Sequence, residues 1–200
     1  MNVHLNDIDL NKFIGYYGSP HPGIYALFLK DVDSLKALAI KDEACFEQIL
    51  NRARYINDQY HVGLLLYIGQ TTRPLKKRIT EHLSQTPKST LRRTLAAIAD
   101  LQGIFINKHE TASHNAKKKH YDISSQNNKA LTDWLKDYTV FKIYECTKAL
   151  LKDKSMNLEC KYIEKYGPPL NLDDNPRVIK CVDVAKKAFE AHALLQSMHG

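Results

Sequence analysis

Two short apolar segments constrain the fold of this 200-residue chain more than any other feature. They read GIYALFL at 23–29 and GLLLYIG at 63–69, and the first follows a turn-like run rich in Gly and Pro. Uninterrupted apolar runs of this length are typical of buried strands. The segment YTVFKIY at 138–144 alternates well enough to predict a third strand. We therefore expect a small central sheet of about three strands.

Helices are predicted between and after these strands. Residues 34–60 lack Gly and Pro and carry periodic apolar positions, which predicts a helical insertion. The next helix, over 74–84, would place Leu75, Ile79 and Leu83 on its inner face. Thr71 or Thr72 could cap it, with Pro74 in its first turn. Further helices are predicted from Ser89 or Thr90 up to Gly103, over 154–166 and over 182–198, with an additional helical turn or two over 130–136.

The mixture of strands and helices predicts an α/β (α+β) fold in which helices flank the sheet. We expect a single domain over residues 1–200. Segments 30–62 and 102–136 are interpreted as insertions, and within the latter the polar segment 107–129 is interpreted as a long loop. The predicted core comprises residues 22–29, 63–101 and 138–172, followed by the C-terminal helix at 182–198.

Composition excludes several classes of protein. Hydrophobic residues are 44% and charged residues 26%, which is enough apolar material for a core and too much for a disordered chain. No apolar stretch reaches the ~18 residues of a membrane span, and the N-terminus does not read as a secretory signal. We therefore expect a cytoplasmic protein without a membrane partner. The four cysteines have no CxxC spacing, so we expect reduced, mostly buried thiols rather than a zinc site.

The charge balance permits a nucleic-acid partner. Lys and Arg number 29 against 22 Asp and Glu, which gives a net charge of +7. Between Gln70 and Thr94 only Glu81 opposes seven basic residues, although a solvated helix face is an alternative interpretation of such a run. The seven are Arg73, Lys76, Lys77, Arg78, Lys88, Arg92 and Arg93.

Three side chains have the chemistry of an active site. Arg78 and His82 are spaced i, i+4, so they share one side of a helix. An Arg fork suits a phosphate, and a His can exchange a proton near neutral pH. Glu159 shares a helical face with apolar residues, where an acid is costly unless it is paired or binds a cation such as Mg²⁺. The alternatives are a surface pair for the first two and a solvent-exposed Glu for the third.

Four further residues carry no functional signal when each is considered alone. They are Tyr25, Tyr67, Gly69 and Asn171. Tyr is a good strand former, and an Asn in a turn is common. Gly69 would let a helix begin close to the sheet. Together with the three residues above, however, they form a pattern: GIY at 23–25, YIG at 67–69, then an Arg, a His four residues on, a helical Glu and an Asn.

This pattern resembles the GIY-YIG nuclease superfamily. Both strings occur verbatim and in order, and Arg78, His82, Glu159 and Asn171 match the later positions. The resemblance covers residues 22–100 and 138–172. The sequence departs from the family where 41 residues, 26–66, replace the usual short hairpin between the two strings.

The resemblance implies phosphodiester hydrolysis with one divalent cation, Mg²⁺ or Mn²⁺, in each active site. Tyr25 would be the general base, with nearby cations lowering its pKa, and His82 would accept its proton or hold it in place. Arg78 would stabilise the transition state, and Asn171 would orient the metal ligand Glu159. The implied catalytic residues are Tyr25, Tyr67, Arg78, His82, Glu159 and Asn171. The expected contacts to the DNA backbone are Arg73, Lys76, Lys77, Arg92 and Arg93.

The biological role stays open between several classes. Restriction-like cleavage of double-stranded DNA is favoured, because the chain is short and carries no second recognisable DNA-binding domain. A one-site enzyme that cuts both strands would act as a homodimer. The alternatives are a phage, mobile-element or toxin nuclease of low specificity, a non-catalytic nucleic-acid-binding module, and an interaction protein whose basic face binds an acidic protein.

Overall fold

The main sheet lies at the centre of the molecule and is antiparallel. The computed structural model describes residues 9–106, 120–153 and 157–199. Four strands pair in the order β1 (Ile14–Gly15), β6 (Thr139–Glu145), β2 (Gly23–Leu29) and β3 (Leu65–Thr71). The three longer strands are the predicted ones. A separate two-stranded sheet pairs β4 (Gly103–Ile106) with β5 (His120–Ile123).

The helices of the described residues complete the mixed α/β fold that was predicted. They are α1 (Asp33–Lys36), α2 (Glu43–Tyr60), α3 (Leu75–Ser84), α4 (Thr90–Ile98), α5 (Ser125–Tyr138), α6 (Lys148–Lys152), α7 (Leu158–Tyr166) and α8 (Lys180–His199). No helix within the described ranges is both long and apolar enough to cross a bilayer.

Two predicted segments differ from the structure. Residues 34–60 are not one helix, because Ala39 adopts a left-handed conformation (φ 55°) and the Asp42 side chain then caps a new helix, α2. The predicted loop over 107–129 is wrong in its second half, where β5 is followed by α5, capped by Ser124. Residues 107–119 of that loop lie outside the described residues, as do 154–156 at the predicted start of α7.

Strand β2 contributes to two hydrophobic cores, because its side chains alternate between the faces of the sheet. Tyr25, Leu27 and Leu29 lie in the core formed with α3, α4, α5 and α8. Ile24, Ala26 and Phe28 lie in the opposite core, which α7 covers. All seven residues of β2 are buried, so this strand is the rigid centre on which both layers are built.

The chain that follows α7 covers the free edge of β3. Leu170 N donates to Leu66 O (3.0 Å), and the Asn171 amide bonds both backbone groups of Ile68 (2.9 and 2.8 Å). Unpaired strand edges are otherwise open to wrong pairing. This cover also fixes α7 beside the last residues of β3.

The loop before β2 holds the start of α3. The Leu75 and Lys76 amides donate to the carbonyls of His21 and Ser19, both at 2.8 Å. The prediction that Thr71 or Thr72 caps this helix is therefore wrong: its N-cap is Pro74, which makes no side-chain cap. Helix α3 is instead tied by backbone bonds to the segment that leads into β2.

A disulfide joins Cys45 in α2 to Cys181 in α8, with the two Cα atoms 5.6 Å apart. The expectation of four reduced thiols is therefore wrong for this pair, while Cys146 and Cys160 are free. The fold brings the two residues within bonding range although 136 positions separate them in sequence, a separation at which spacing carries no signal.

Candidate active site

Two tyrosines on neighbouring strands form the floor of the candidate site. Tyr25 lies opposite Gly69 and Tyr67 opposite Leu27 in the β2–β3 register. Their ring centroids are 6.4 Å apart, and the residues are only 1% and 7% exposed. A Cβ atom at Gly69 would overlap the Tyr25 hydroxyl. Gly69 is therefore explained by the close approach of Tyr25, whereas β3 runs on to Thr71 and the expected helix start does not lie there.

Helix α3 brings two nitrogen atoms to the hydroxyl of Tyr25. Nε2 of His82 lies 2.7 Å from this oxygen, and Nε of Arg78 donates to it at 3.2 Å. The i, i+4 spacing therefore does place both side chains on one side of the helix, as predicted, and they meet at one atom. His82 is fully buried, and its other ring nitrogen, Nδ1, contacts Ser89 Oγ at 2.6 Å.

Burial dominates the ionisation of this cluster. It raises the pKa of Tyr25 to about 12, although Arg78 acts in the opposite direction. The expected lowering of this pKa by cations is therefore outweighed, because desolvation disfavours a buried phenolate. Burial, followed by Arg78 and Arg92, holds the pKa of His82 well below its ordinary value. His82 is consequently neutral at neutral pH.

A buried carboxylate holds Arg78 in place. Glu81 accepts two bonds from Arg73 (2.8 and 2.7 Å) and lies 3.4 Å from Arg78 Nη1, which also donates to Lys88 O at 2.8 Å. Although burial alone would raise the pKa of Glu81, the two arginines bring it below its ordinary value. In the sequence, Glu81 stands out only as the acid that opposes the basic residues between Gln70 and Thr94. Its i, i+3 spacing to Arg78 is the signal that could have predicted this ion pair.

Glu159 lies in the first turn of α7, beside the end of β3. Burial raises the pKa of its carboxyl group to about 7; the Gln70 backbone amide and Arg78 lower it, and Asp174 and Asp173 raise it further. Glu159 in turn raises the pKa of Tyr25. The carboxylate is therefore within electrostatic range of both Arg78 and Tyr25, on the edge of the strand that carries Tyr67.

The surroundings of Glu159 fit a single hydrated divalent cation. Its charge is only partly offset, and Oε1 of Gln70, the residue whose amide bonds this carboxylate, is buried without a hydrogen-bond partner. Within the described ranges, no three His, Cys, Asp or Glu side chains form a metal cluster. One carboxylate suits Mg²⁺, which keeps several of its waters.

Asn171 has a different role from the one expected. Its amide oxygen and nitrogen bond the backbone N–H and C=O of Ile68 rather than the Glu159 carboxylate. The side chain therefore fixes the edge of β3, and it can influence Glu159 only through that strand.

The predicted DNA contacts separate into three groups. Arg73, in the turn before α3, and Lys76 and Lys77, on α3, are exposed and stay candidates. Arg92 is 0% exposed, so its prediction as a DNA contact is wrong; burial lowers its pKa to about 10. Its guanidinium donates to groups of the core, namely Thr86 Oγ1, His82 O, Leu83 O, Thr132 Oγ1 and Asn128 O. Arg93 is half-buried and donates to Pro87 O at 3.1 Å.

Comparison with known proteins agrees with this geometry. Residues 23–187 match the family described as the GIY-YIG catalytic domain, and the match covers most of the chain. The chain therefore belongs to the GIY-YIG family of nuclease domains, whose substrates are nucleic acids and whose members generally depend on a divalent metal. No similar curated protein and no similar solved structure was found. The match runs through both 30–62 and 102–136, and the interpretation of these segments as insertions stays a prediction.

Proposed function

We propose that this protein is a metal-dependent endonuclease that hydrolyses phosphodiester bonds of double-stranded DNA in a restriction-like manner. The observation that carries the proposal is the convergence of Arg78 Nε and His82 Nε2 on the Tyr25 hydroxyl, within electrostatic range of Glu159. A base, a cationic fork and a carboxylate that can hold a cation are the groups that this hydrolysis requires.

The proposed reaction begins with Tyr25 as a phenolate. Its oxygen takes a proton from a water molecule, and the electron pair of that O–H bond forms the new bond from water oxygen to phosphorus. Arg78 stabilises the negative charge that develops on the phosphoryl oxygens, and Tyr67 positions the water or the phosphate. The bond from phosphorus to the 3′ oxygen breaks, and its electron pair leaves with that oxygen. A divalent cation held by Glu159 would supply positive charge at the departing oxygen.

Binding of the DNA backbone is assigned to the exposed side of α3. Lys76 and Lys77 lie there, and Arg73 lies in the turn just before the helix. Phosphate contacts of this kind provide affinity and salt dependence without sequence information. Cleavage of both strands by a protein with one such site calls for two copies, so we propose a homodimer on the DNA.

The proposal is tested by incubating the protein with supercoiled plasmid and Mg²⁺, with EDTA and the Glu159→Gln variant as controls. Glu164→Gln is the matched variant, because Glu164 is an exposed acid of the same helix. Discrete fragments, lost with EDTA and Glu159→Gln but kept with Glu164→Gln, would support restriction-like cleavage. Smearing or nicking with the same dependence would favour a nuclease of low specificity. Binding of plasmid, genomic DNA, single-stranded DNA and RNA without cleavage would favour a non-catalytic module and overturn the proposal.

A further inference from the structure

A chain of three buried side chains runs from the start of α4 to the base. Ser89 Oγ lies 2.6 Å from Nδ1 of His82, and Nε2 of His82 lies 2.7 Å from the Tyr25 hydroxyl. Ser89 and His82 are 0% exposed and Tyr25 is 1% exposed. In the resting protein, bulk water therefore does not satisfy these groups, and each hydrogen in the chain needs a partner within the protein.

The hydrogens of this chain can be assigned by counting donors and acceptors. Ser89 is the N-cap of α4, and its hydroxyl oxygen accepts the Arg92 amide at 3.0 Å. The hydroxyl has one hydrogen to donate, and in the hydrogen bonds of the described residues its acceptor is His82 Nδ1. If Nδ1 carried the ring hydrogen, the Ser89 hydrogen would be buried without a partner, which is unfavourable.

If Nδ1 of His82 carries no hydrogen, the protonation of Nε2 follows. A neutral imidazole has one hydrogen, which then lies on Nε2 and is donated to the oxygen of Tyr25. That oxygen also accepts from Arg78 Nε at 3.2 Å. Two N–H groups thus point at the atom on which negative charge appears when Tyr25 is deprotonated. The hydrogen of neutral Tyr25 is then donated not to His82 but to the hydroxyl of Tyr67, the other side-chain hydrogen-bond partner of Tyr25.

We propose that Ser89 is a positioning residue that fixes His82 as a hydrogen-bond donor to Tyr25, so that His82 stabilises the phenolate and does not receive the tyrosine proton. In the catalytic step the proton taken from water stays on Tyr25 and leaves later to solvent, while His82 keeps its single hydrogen throughout. The consequence for catalysis rests on the proposed function, but the assignment of the hydrogens does not.

The tautomer is tested directly by ¹⁵N NMR of the unsubstituted protein labelled at histidine. The His82 resonances are identified by their loss in the His82→Gln variant. We expect a pyridine-type Nδ1 and a pyrrole-type Nε2. The reverse pattern would overturn the proposal. This measurement does not require cleavage, so its outcome is independent of whether the protein proves to be a nuclease.

A pair of variants tests the contribution to the reaction. Ser89→Thr keeps a hydroxyl and an N-cap, whereas Ser89→Gly keeps a good N-cap residue but has no hydroxyl. We expect Ser89→Thr to retain the tautomer and the rate. Ser89→Gly should lower kcat about 10- to 100-fold with unchanged KM for DNA, the size of one hydrogen bond to a charged group. An unchanged kcat in Ser89→Gly, or an unchanged tautomer in that variant, would contradict the proposal.

Discussion

The Tyr25 side chain would be a strong base as a phenolate, but its raised pKa keeps the phenolate population low at neutral pH. A free phenol has a pKa near ~10, and burial moves that of Tyr25 to about 12. Such a phenolate is a strong proton acceptor, but little of it exists at neutral pH. The Arg78 donor at its oxygen, and the His82 donor that we propose there, counteract this cost. If Tyr25 is the base, as we propose, the rate depends on where these donor atoms lie around its oxygen.

Gly69 offers a test of this placement. A methyl group there would overlap the Tyr25 hydroxyl and push it away from both nitrogen donors. We expect Gly69→Ala to lower the cleavage rate about tenfold or more, since one charged hydrogen bond is worth about 1.5–3 kcal/mol. Gly15→Ala is the matched control, because a Cβ atom there has no neighbour within 4 Å. Equal rates for both variants, measured on the same DNA, would argue against the role of Tyr25.

Glu159 is predicted to cost stability when no cation is bound. Its folded pKa of about 7 lies above the ordinary value of 4.5, so the folded state keeps the proton longer than the unfolded state. Stability therefore falls as pH rises from 4.5 to 7. At pH 8 without metal, we expect Glu159→Gln to be more stable by about 1–3 kcal/mol, a difference that disappears near pH 4.5.

Denaturant unfolding at the two pH values measures this difference. Mg²⁺ should then raise the melting temperature of the unsubstituted protein and of Glu164→Gln, but not that of Glu159→Gln. A Glu159→Gln variant that is less stable than the unsubstituted protein at pH 8 without metal would contradict the raised pKa of Glu159. A variant that Mg²⁺ stabilises as much as the unsubstituted protein would show that Glu159 is not the metal ligand.

Among the elements, α3, α4 and α5 are held together by one buried cation. The Arg92 guanidinium reaches from α4 to Leu83 O at the end of α3 and to Asn128 O in α5, both at 2.9 Å. A buried charge is tolerated only when its donors are satisfied, and here they are bonded to carbonyls and hydroxyls. Helix α3, which carries Arg78 and His82, is therefore held in place by the Arg92 side chain of α4.

Arg92 and Lys77 are predicted to affect different properties, although both are basic residues of one segment. Arg92→Met should lower the free energy of unfolding by about 3 kcal/mol, because it leaves buried carbonyls unpaired. Lys77→Met should leave stability unchanged but weaken DNA binding and reduce its salt slope by about one. Denaturant unfolding and salt titrations of binding separate the two. Weaker DNA binding by Arg92→Met at full stability would contradict this assignment.

The strands were predictable from local pattern, and the packing of several helices was not. The apolar runs at 23–29 and 63–69 lie within two residues of β2 and β3 because buried strands need continuous apolar sequence. The helical turn or two predicted at 130–136 lies within α5, where Leu131, Trp134 and Leu135 have helical spacing and are buried; the start of α5 was missed because its first turn is polar. The partners of Glu81, Asn171 and Arg92 depend on tertiary register, which a single sequence does not reveal.

At the scale of the molecule, a disulfide ties the C-terminal helix to the first half of the chain. The bond between Cys45 and Cys181 closes a loop of 136 residues, and long loops gain most from such a constraint. We expect Cys181→Ser, or reduction of the unsubstituted protein, to lower the free energy of unfolding by about 2–4 kcal/mol. Thiol titration of the native protein should detect two free thiols, Cys146 and Cys160. Four titratable thiols, or equal stability in both forms, would contradict this bond.

The most direct test of the account is the single-turnover rate of DNA cleavage by Tyr25→Phe at saturating Mg²⁺. The substitution removes one oxygen atom, and the exposed Tyr55→Phe is its control. We predict that Tyr25→Phe cuts at least about 100-fold more slowly while binding DNA and Mg²⁺ like the unsubstituted protein, because a general base contributes 10²- to 10⁴-fold. A Tyr25→Phe variant that cleaves within a few fold of the unsubstituted rate would show that Tyr25 is not the base.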